Sequence, residues 1–325
     1  MRAVQVTTLE GPEHVAVAEV EAPTPGPGQV VIEVSHAGVT FPELLQTRGM
    51  YQVKHPLPFT LGSEAAGIVS AVGEGSRFSV GDRVATITGK GTFAEFLLAN
   101  DEQVLLLPDS LSLEAAAGIP MNVLTADFTL RVRANLQPGR TLLVHGAAGG
   151  LGSALVQLGL AMGAEVVAVV STEEKAQVVR DLGAQHVVFA DGFKDAVLEI
   201  FPDGVDFVAD PVGGDRFTDS IRSLRRYGQV LVLGFTAGEI PTVKVNRLLL
   251  KNVAVSGVAW GEATRDDRNL IHSQWEAITD HLASGALDPH IHGHFPLERA
   301  AEAIAVLDER AVLGKVLLDV NPSLT

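Results

Sequence analysis

The chain has 325 residues, 46% of them hydrophobic, which is enough for two domains with apolar cores. Its 24 basic and 39 acidic residues give a formal charge of −15, which argues against nucleic acid as a partner. No cysteine is present, so disulfides, thiolate nucleophiles and cysteine-ligated zinc are excluded. The sequence shows neither an export signal nor an apolar run near the ~18 residues of a membrane span. We therefore expect a cytoplasmic protein without a membrane partner.

The chain has two consecutive regions that differ in their predicted secondary structure. Up to about residue 110, short β-branched runs such as Val30–Val34 alternate with glycine and proline, as in a barrel-like β domain. From about residue 112, strand-like and helix-like segments alternate, which predicts a parallel sheet. Six strands are predicted in this part, at Thr141–His145, Glu165–Val170, His186–Phe189, Val205–Ala209, Gln229–Gly234 and Ala254–Ala259. Helices are predicted at Leu151–Met162, Thr172–Leu182, Phe217–Ser223, Asn246–Leu250 and Asp266–Ala283.

A phosphate-binding loop is predicted where the strand ending at His145 runs into small residues and then a helix. Gly149 lets the backbone approach a pyrophosphate, and Gly152 lets the helix pack closely on the strand. The helix N-terminus offers N–H groups to anionic oxygens. The alternative is a tight turn without a ligand, since Ala147 replaces the first glycine of the strict fingerprint. We expect cofactor contacts from the loop residues Gly146, Ala148, Gly149, Gly150 and Leu151.

The end of the next strand indicates which dinucleotide binds. NAD enzymes usually place a carboxylate there to hold the ribose diol, whereas this chain has Ser171, followed by Thr172 and Lys175. Two hydroxyls and an ammonium group suit the 2′-phosphate of NADPH, which is the predicted cofactor. Two alternatives stay open: Glu173 or Glu174 could turn toward the ribose, or the segment only caps a solvated helix.

In its motifs the chain resembles the medium-chain dehydrogenase/reductase superfamily, and within it the zinc-independent quinone oxidoreductase branch. The resemblance extends over essentially the full length. The matching segments are Ala37–Glu43, Gly49–Gln52, Pro56–Glu64, Val80–Val84, Gly91–Glu95, the phosphate loop and Asp210–Asp215. The resemblance implies an α/β fold in which a GroES-like β-barrel domain, residues 1–120 and 260–325, is interrupted by a Rossmann domain with a doubly wound parallel sheet, residues 121–259. It also implies a homodimer or homotetramer.

Two positions of the resemblance concern zinc. Zinc-dependent members carry cysteine near the position of Thr40 and histidine at that of Ser63, and both ligands are missing here, so we expect no metal. Without a Lewis acid, hydride delivery to an electron-poor acceptor is easier than oxidation of an alcohol.

Hydride delivery makes negative charge grow on the acceptor oxygen, and a donor must stabilise it. Tyr51, which matches a tyrosine of the family, is the first candidate. Thr40, where the family usually has asparagine, is the second. The alternatives are that the Tyr51 ring only packs and that Thr40 occupies a strand for steric reasons.

The resemblance also implies residues around the nicotinamide. These are Asn122, Thr125, Gly234, Phe235, Asn246 and Trp260. Asn246 has an alternative role as a helix N-cap, and Trp260 could serve only to seal a domain boundary. Lys315 could reach the cofactor, although a lysine near a final strand is usually solvated.

The run His290–His294 has three histidines at alternate positions, which would share one face of a strand. Neutral imidazoles bind transition metals. Because the sequence gives these histidines neither a nearby cysteine nor a fixed carboxylate partner, the preferred interpretation is a polar exposed strand.

These observations predict NADPH-dependent reduction of a quinone or an α,β-unsaturated carbonyl compound. One alternative is a 2-enoyl thioester reductase, which would need cationic residues for coenzyme A phosphates, with Arg48 and Lys54 as candidates in the β domain. Another is an NADPH-binding structural or regulatory protein with little catalysis.

Overall fold

The computed structural model describes residues 1–309 and 311–324. The chain forms two compact units, one of Met1–Asn122 with the chain from Arg268 onward, and one of Val123–Asp267. The first is mainly β and the second alternates strands and helices, so the predicted α/β class is confirmed. Within the described residues, no helix combines the length and the apolar character needed to cross a membrane.

Sixteen strands are found among the described residues: β1 Arg2–Val6, β2 Ala16–Glu19, β3 Gln29–Val39, β4 Phe59–Thr60, β5 Glu64–Val72, β6 Arg83–Ile87, β7 Phe96–Asn100, β8 Val104–Leu106, β9 Thr141–His145, β10 Glu165–Val170, β11 His186–Phe189, β12 Val205–Asp210, β13 Leu224–Val232, β14 Ala254–Gly257, β15 Ile291–Pro296 and β16 Lys315–Asp319. The α-helices of the same residues are α1 Phe41–Thr47, α2 Leu113–Ala117, α3 Pro120–Asp127, α4 Gly150–Ala161, α5 Glu173–Asp181, α6 Phe193–Ile200, α7 Phe217–Ser223, α8 Asn246–Lys251, α9 Trp260–Asp266, α10 Leu270–Ala283 and α11 Ala300–Asp308. A π-helical turn, Phe128–Arg133, follows α3.

The first unit is built on a large mixed sheet with the strand order β15-β16-β3-β5-β6-β8, in which β7 also pairs with β3. A smaller sheet has the order β2-β1-β4. The long strand β3 is buried over most of its length and pairs with β5, β7 and β16, all antiparallel. Strands near both ends of the chain therefore meet at β3, and residues distant in sequence become neighbours there.

The second unit is a six-stranded parallel sheet with the order β11-β10-β9-β12-β13-β14. Strands such as β9 and β10 are apolar and buried nearly throughout, as expected when helices cover both faces of a parallel sheet. The order reverses between β9 and β12, and in such sheets ligands bind at the carboxyl ends of the strands around this point.

The elements predicted after residue 140 agree closely with the structure, apart from shifts of one residue and four larger differences, one of which is that β14 ends at Gly257, two residues before the predicted end. Strand β13 covers Leu224–Val232, and so begins five residues before the prediction and ends two earlier. Helix α6 was not predicted, although Phe193 and Val197 are buried at helical spacing. The predicted helix Asp266–Ala283 is wrong at its start, because Asp267 has extended backbone and separates α9 from α10.

Candidate functional site

The predicted phosphate loop lies between β9 and α4, at the carboxyl end of the sheet's central strands. Gly146 has a φ of +59°, a left-handed conformation that glycine adopts without strain. Gly149 is the N-cap of α4 in an extended conformation, so no capping side chain occupies the space before the first helical turn. Gly150 and Leu151 begin the helix. The loop therefore presents backbone, not side chains, to an anion at this helix N-terminus.

Gly152 brings the helix against the loop. A Cβ atom at this position would lie 2.1 Å from the carbonyl oxygen of Gly146, a distance no side chain tolerates. At Gly149 a Cβ atom would meet the same oxygen at 3.4 Å, an ordinary contact. The two glycines therefore have different tasks: Gly152 permits close packing, and Gly149 keeps the front of the loop open.

Two neighbouring loops pack beside the phosphate loop. At the end of β12, the Asp210 carboxylate accepts hydrogen bonds from the N–H groups of Val212 and Gly213, both at 2.9 Å. A Cβ atom on Gly146 would lie 3.3 Å from Val212, and one on Gly213 would lie 3.0 Å from the Phe235 ring. Gly146 and Phe235 therefore lie on either side of the loop that follows β12. Asp210 was not among the predicted site residues, although its position at a strand end before a Gly-Gly pair could have identified it.

The Ser171 hydroxyl and the Lys175 ammonium lie together at the end of β10, 3.3 Å apart. Thr172 is the N-cap of α5, and its hydroxyl accepts from the Lys175 N–H at 3.3 Å. Glu173 forms an ion pair with Arg180 at 2.5 Å. Its carboxylate is therefore engaged away from Ser171, which weakens one objection to a 2′-phosphate at this strand end.

The remaining predicted cofactor residues lie at starts and ends of elements. Asn122 and Thr125 lie on α3, Gly234 follows β13, and Trp260, which is buried, begins α9. Asn246 is the first residue of α8, whose N-cap is Val245, so the alternative that Asn246 caps this helix is wrong. Their roles toward a dinucleotide stay predictions.

A buried hydrogen-bond network joins two hydroxyls to Glu43. The Glu43 carboxylate, fully buried on α1, accepts from the Thr40 N–H at 2.7 Å, from the Thr40 hydroxyl, and from the Ser63 hydroxyl at 2.5 Å. Burial raises the pKa of Glu43, and the hydrogen bonds from Ser63 and Thr40 oppose that effect. Thr40 is the N-cap of α1 and lies outside β3, so the strand-preference alternative is wrong.

Thr40 and Ser63, which hold the two positions compared with zinc ligands, are thus brought together through Glu43. The oxygen donors here are two hydroxyls and one carboxylate already bonded to one another, without the imidazole or thiolate that catalytic zinc sites use. Zinc of that kind does not fit this group. Glu43 was not predicted, although its spacing of three residues from Thr40 is that of a capping box.

A second buried group in the same unit is the ion pair of Glu64 and Lys315. Both side chains are almost completely buried, so the expectation of a solvated Lys315 is wrong. The other carboxylate oxygen of Glu64 accepts from the Met121 N–H at 2.7 Å and so fixes the start of α3. Gly38 makes room for the pair, because a Cβ atom there would lie 2.6 Å from the Glu64 carboxylate.

Tyr51 lines a small pocket of about 30 Å³. The other residues lining the pocket are Leu9, Gln46, Gly49, Val53, Lys54, His55 and Phe59. Two buried atoms of this lining, Gln46 Oε1 and His55 Nε2, have no hydrogen-bond partner. Since such atoms are costly to leave unpaired, a water-sized polar molecule in the pocket could satisfy them. Gln46 and His55 were not predicted, and no motif distinguishes them in sequence.

Comparisons with known proteins agree with this architecture. Residues 26–109 match the alcohol dehydrogenase GroES-like domain family, and residues 150–283 match the zinc-binding dehydrogenase family. Quinone oxidoreductase-like protein 2 of Rattus norvegicus is 36% identical over 326 residues, which cover 98% of this chain and 92% of the relative.

Two solved structures have the same fold. A probable oxidoreductase from Mycobacterium abscessus has a TM-score of 0.90 and 37% identity, with 98% of this chain and 99% of that chain covered. Escherichia coli quinone oxidoreductase complexed with NADPH also has a TM-score of 0.90, at 28% identity and with 98% and 100% covered. With a relative above 30% identity over nearly the whole length, the chain belongs to the medium-chain dehydrogenase/reductase superfamily, in its quinone oxidoreductase branch.

Proposed function

We propose that this protein is an NADPH-dependent oxidoreductase that reduces quinones or α,β-unsaturated carbonyl compounds without zinc. The observation that carries the proposal is the glycine- and alanine-rich loop before α4, with no capping side chain at Gly149, together with Ser171 and Lys175 at the neighbouring strand end. The loop backbone would hold the pyrophosphate, and Ser171 and Lys175 the 2′-phosphate. NADPH, when bound, supplies the hydride.

The chain's own task in this reaction is to stabilise the negative charge that grows on the acceptor oxygen. Tyr51 is the first candidate to donate its phenolic O–H to that oxygen. The Thr40 hydroxyl donates to Glu43 in this structure. A protonated Glu43 would donate to Thr40, and the Thr40 proton would then be available to an acceptor.

The structure gives a reason to rank the enoyl thioester alternative lower. The guanidinium of Arg48 is paired with Asp308 at 2.7 and 3.1 Å, and Lys54 donates to the carbonyl oxygen of Gly49 at 2.5 Å. Both cations suggested for coenzyme A phosphates are therefore already engaged by the protein.

Steady-state oxidation of NADPH with a panel of quinones, enones and 2-enoyl thioesters tests the proposal. We expect turnover with the first two classes, and Tyr51→Phe should lower kcat by roughly 10²-fold with the Kd for NADPH unchanged, because one donor to the developing oxyanion is lost. Preferred turnover of 2-enoyl thioesters would support the alternative that the protein is a 2-enoyl thioester reductase. NADPH binding without turnover of any acceptor would support the structural or regulatory alternative. Unchanged kcat in the variant would remove Tyr51 from the mechanism.

We also propose that the protein forms a homodimer or homotetramer. Four large apolar side chains of one short segment in the second unit are each more than 70% exposed: Ile240, Val245, Leu249 and Leu250. Large apolar side chains left exposed close together in sequence are typical of a protein interface, and a second copy of the chain is the occupant that the family resemblance suggests.

A further inference from the structure

The histidines of the run His290–His294 are exposed, as the sequence predicted, but His294 also contacts carboxylates. His294 Nδ1 lies 2.8 Å from an Asp319 carboxylate oxygen on β16, and His36 Nε2 on β3 lies 3.6 Å from the same oxygen. One ligand atom from each of the three side chains can be chosen so that all lie within 4.8 Å of one another. The expectation that these histidines lack a fixed carboxylate partner is therefore wrong for His294.

In each of the two histidines, the second ring nitrogen also has a polar partner. The second nitrogen of His294, Nε2, lies 3.1 Å from the Glu114 carboxylate on α2. The second nitrogen of His36, Nδ1, lies 2.9 Å from the Ser35 hydroxyl. Metal-binding histidines usually have such an outer partner, because it fixes the tautomer and the ring orientation. In this arrangement His36 Nε2 and His294 Nδ1 are the nitrogens that face Asp319.

The backbone holds these three ligands in place. His36 and Asp319 are directly opposite in the antiparallel pair of β3 and β16, and β15 pairs with β16 on its other side. The His36 side chain is only 9% exposed, while those of His294 and Asp319 are 35% and 30% exposed. The cluster thus has a rigid inner side and a side open to solvent, through which an ion can enter.

We propose that His36, His294 and Asp319 bind one divalent transition metal ion, such as Zn²⁺. Two imidazoles and a carboxylate suit such an ion, whereas Mg²⁺ and Ca²⁺ prefer oxygen ligands alone. With bonds of about 2.0–2.2 Å, neighbouring ligand atoms of a tetrahedral zinc site lie roughly 3.4 Å apart, close to the 2.8 and 3.6 Å found here. The partial exposure of His294 and Asp319 leaves room for water to complete the coordination.

This site is separate from the chemistry proposed above, because it shares no residue with the Thr40–Glu43–Ser63 network or the Tyr51 pocket. The bound ion connects β3, β15 and β16, so its effect is on the stability of the first unit. A negative result for the metal site would therefore leave the proposed reductase activity unaffected, and the reverse also holds.

The experiment uses the full-length chain without an affinity tag, freed of metal by a chelator. Zn²⁺ is titrated in competition with a chromophoric chelator, and thermal unfolding is followed with and without Zn²⁺. We expect one ion per chain and a raised Tm, since an ion that binds only the folded state stabilises it. Zinc X-ray absorption should show two imidazole ligands with oxygen ligands.

The variants His294→Ala and Asp319→Asn should each weaken Zn²⁺ binding at least tenfold. His292→Ala is the matched control, since His292 is an exposed histidine of the same strand that accepts from the Leu313 N–H and is expected to leave affinity unchanged. His294 is partly exposed, so its variant should fold, and the Tm without zinc checks this. Absence of stoichiometric binding, or equal loss of affinity in the His292 and His294 variants, would overturn the proposal.

Discussion

At the residue scale, the choice of dinucleotide depends on Lys175. Its ammonium group lies 3.3 Å from the Ser171 hydroxyl at the end of β10, where it can form a charge-assisted bond to a 2′-phosphate. Such a bond is worth about 1.5–3 kcal/mol, so Lys175→Met should lower kcat/KM for NADPH by roughly tenfold or more. The value for NADH, which has no 2′-phosphate, should hardly change.

The control for this variant is Lys194→Met, which removes the same charge from α6 in the same unit, where Lys194 pairs with Asp195. The ratio of kcat/KM for NADPH to kcat/KM for NADH should be the same in this control as in the unaltered protein. Equal losses for NADPH and NADH in Lys175→Met would show that Lys175 serves only to start α5.

At the element scale, the junction of β9 and α4 separates packing from binding. Gly152→Ala should lower the Tm of the second unit and weaken NADPH binding, because the new Cβ atom, 2.1 Å from the Gly146 oxygen, forces the helix away from the loop. Gly149→Ala should keep the Tm within a few degrees, since its Cβ atom makes an ordinary contact at 3.4 Å. Its Kd for NADPH should nevertheless rise about tenfold, because a methyl group then stands before the helix N-terminus.

Calorimetry or circular dichroism gives the Tm, and fluorescence titration gives the Kd for NADPH. If Gly149→Ala bound NADPH as tightly as the unaltered protein, the loop would not be the pyrophosphate site. If Gly152→Ala unfolded at the unaltered Tm, close packing would not be the task of this glycine.

Local sequence patterns predicted these elements well because each pattern reflects a local physical requirement. The apolar runs at β9 and β10 and the small residues around Gly149 are properties of short segments. The break at Asp267 between α9 and α10 was missed, because the extended backbone of a single residue leaves no strong signal in the sequence.

At the scale of the whole molecule, sequence patterns could not predict contacts between distant segments. Glu64 and Lys315 form one buried pair across 251 positions of the chain, and His36 meets Asp319 on adjacent strands. Each of these residues is unremarkable within its own segment. Only the topology, in which β16 pairs with β3, determines that an apparently solvated lysine is buried and that His36 gains a carboxylate neighbour.

Also at this scale, self-association should depend on the exposed apolar segment in the second unit. The double variant Leu249→Glu/Leu250→Glu puts two carboxylates per chain where both leucines are more than 70% exposed. Charges buried at an interface cost several kcal/mol, and the formal charge of −15 already disfavours close approach of two copies. We expect light scattering after size-exclusion chromatography to give a dimer or tetramer for the unaltered protein and a smaller mass for the variant.

The matched control for self-association is Val80→Glu/Leu106→Glu, which adds the same charge at exposed apolar positions of the first unit, 63% and 57% exposed. Because these two side chains lie outside the segment around Leu249, this variant should keep the mass of the unaltered protein. A monomeric unaltered protein at all concentrations, or a Leu249/Leu250 variant of undiminished mass, would contradict the assignment of this segment as the interface. Loss of mass in both variants would instead trace association to total charge, since the added charge is the one feature that they share.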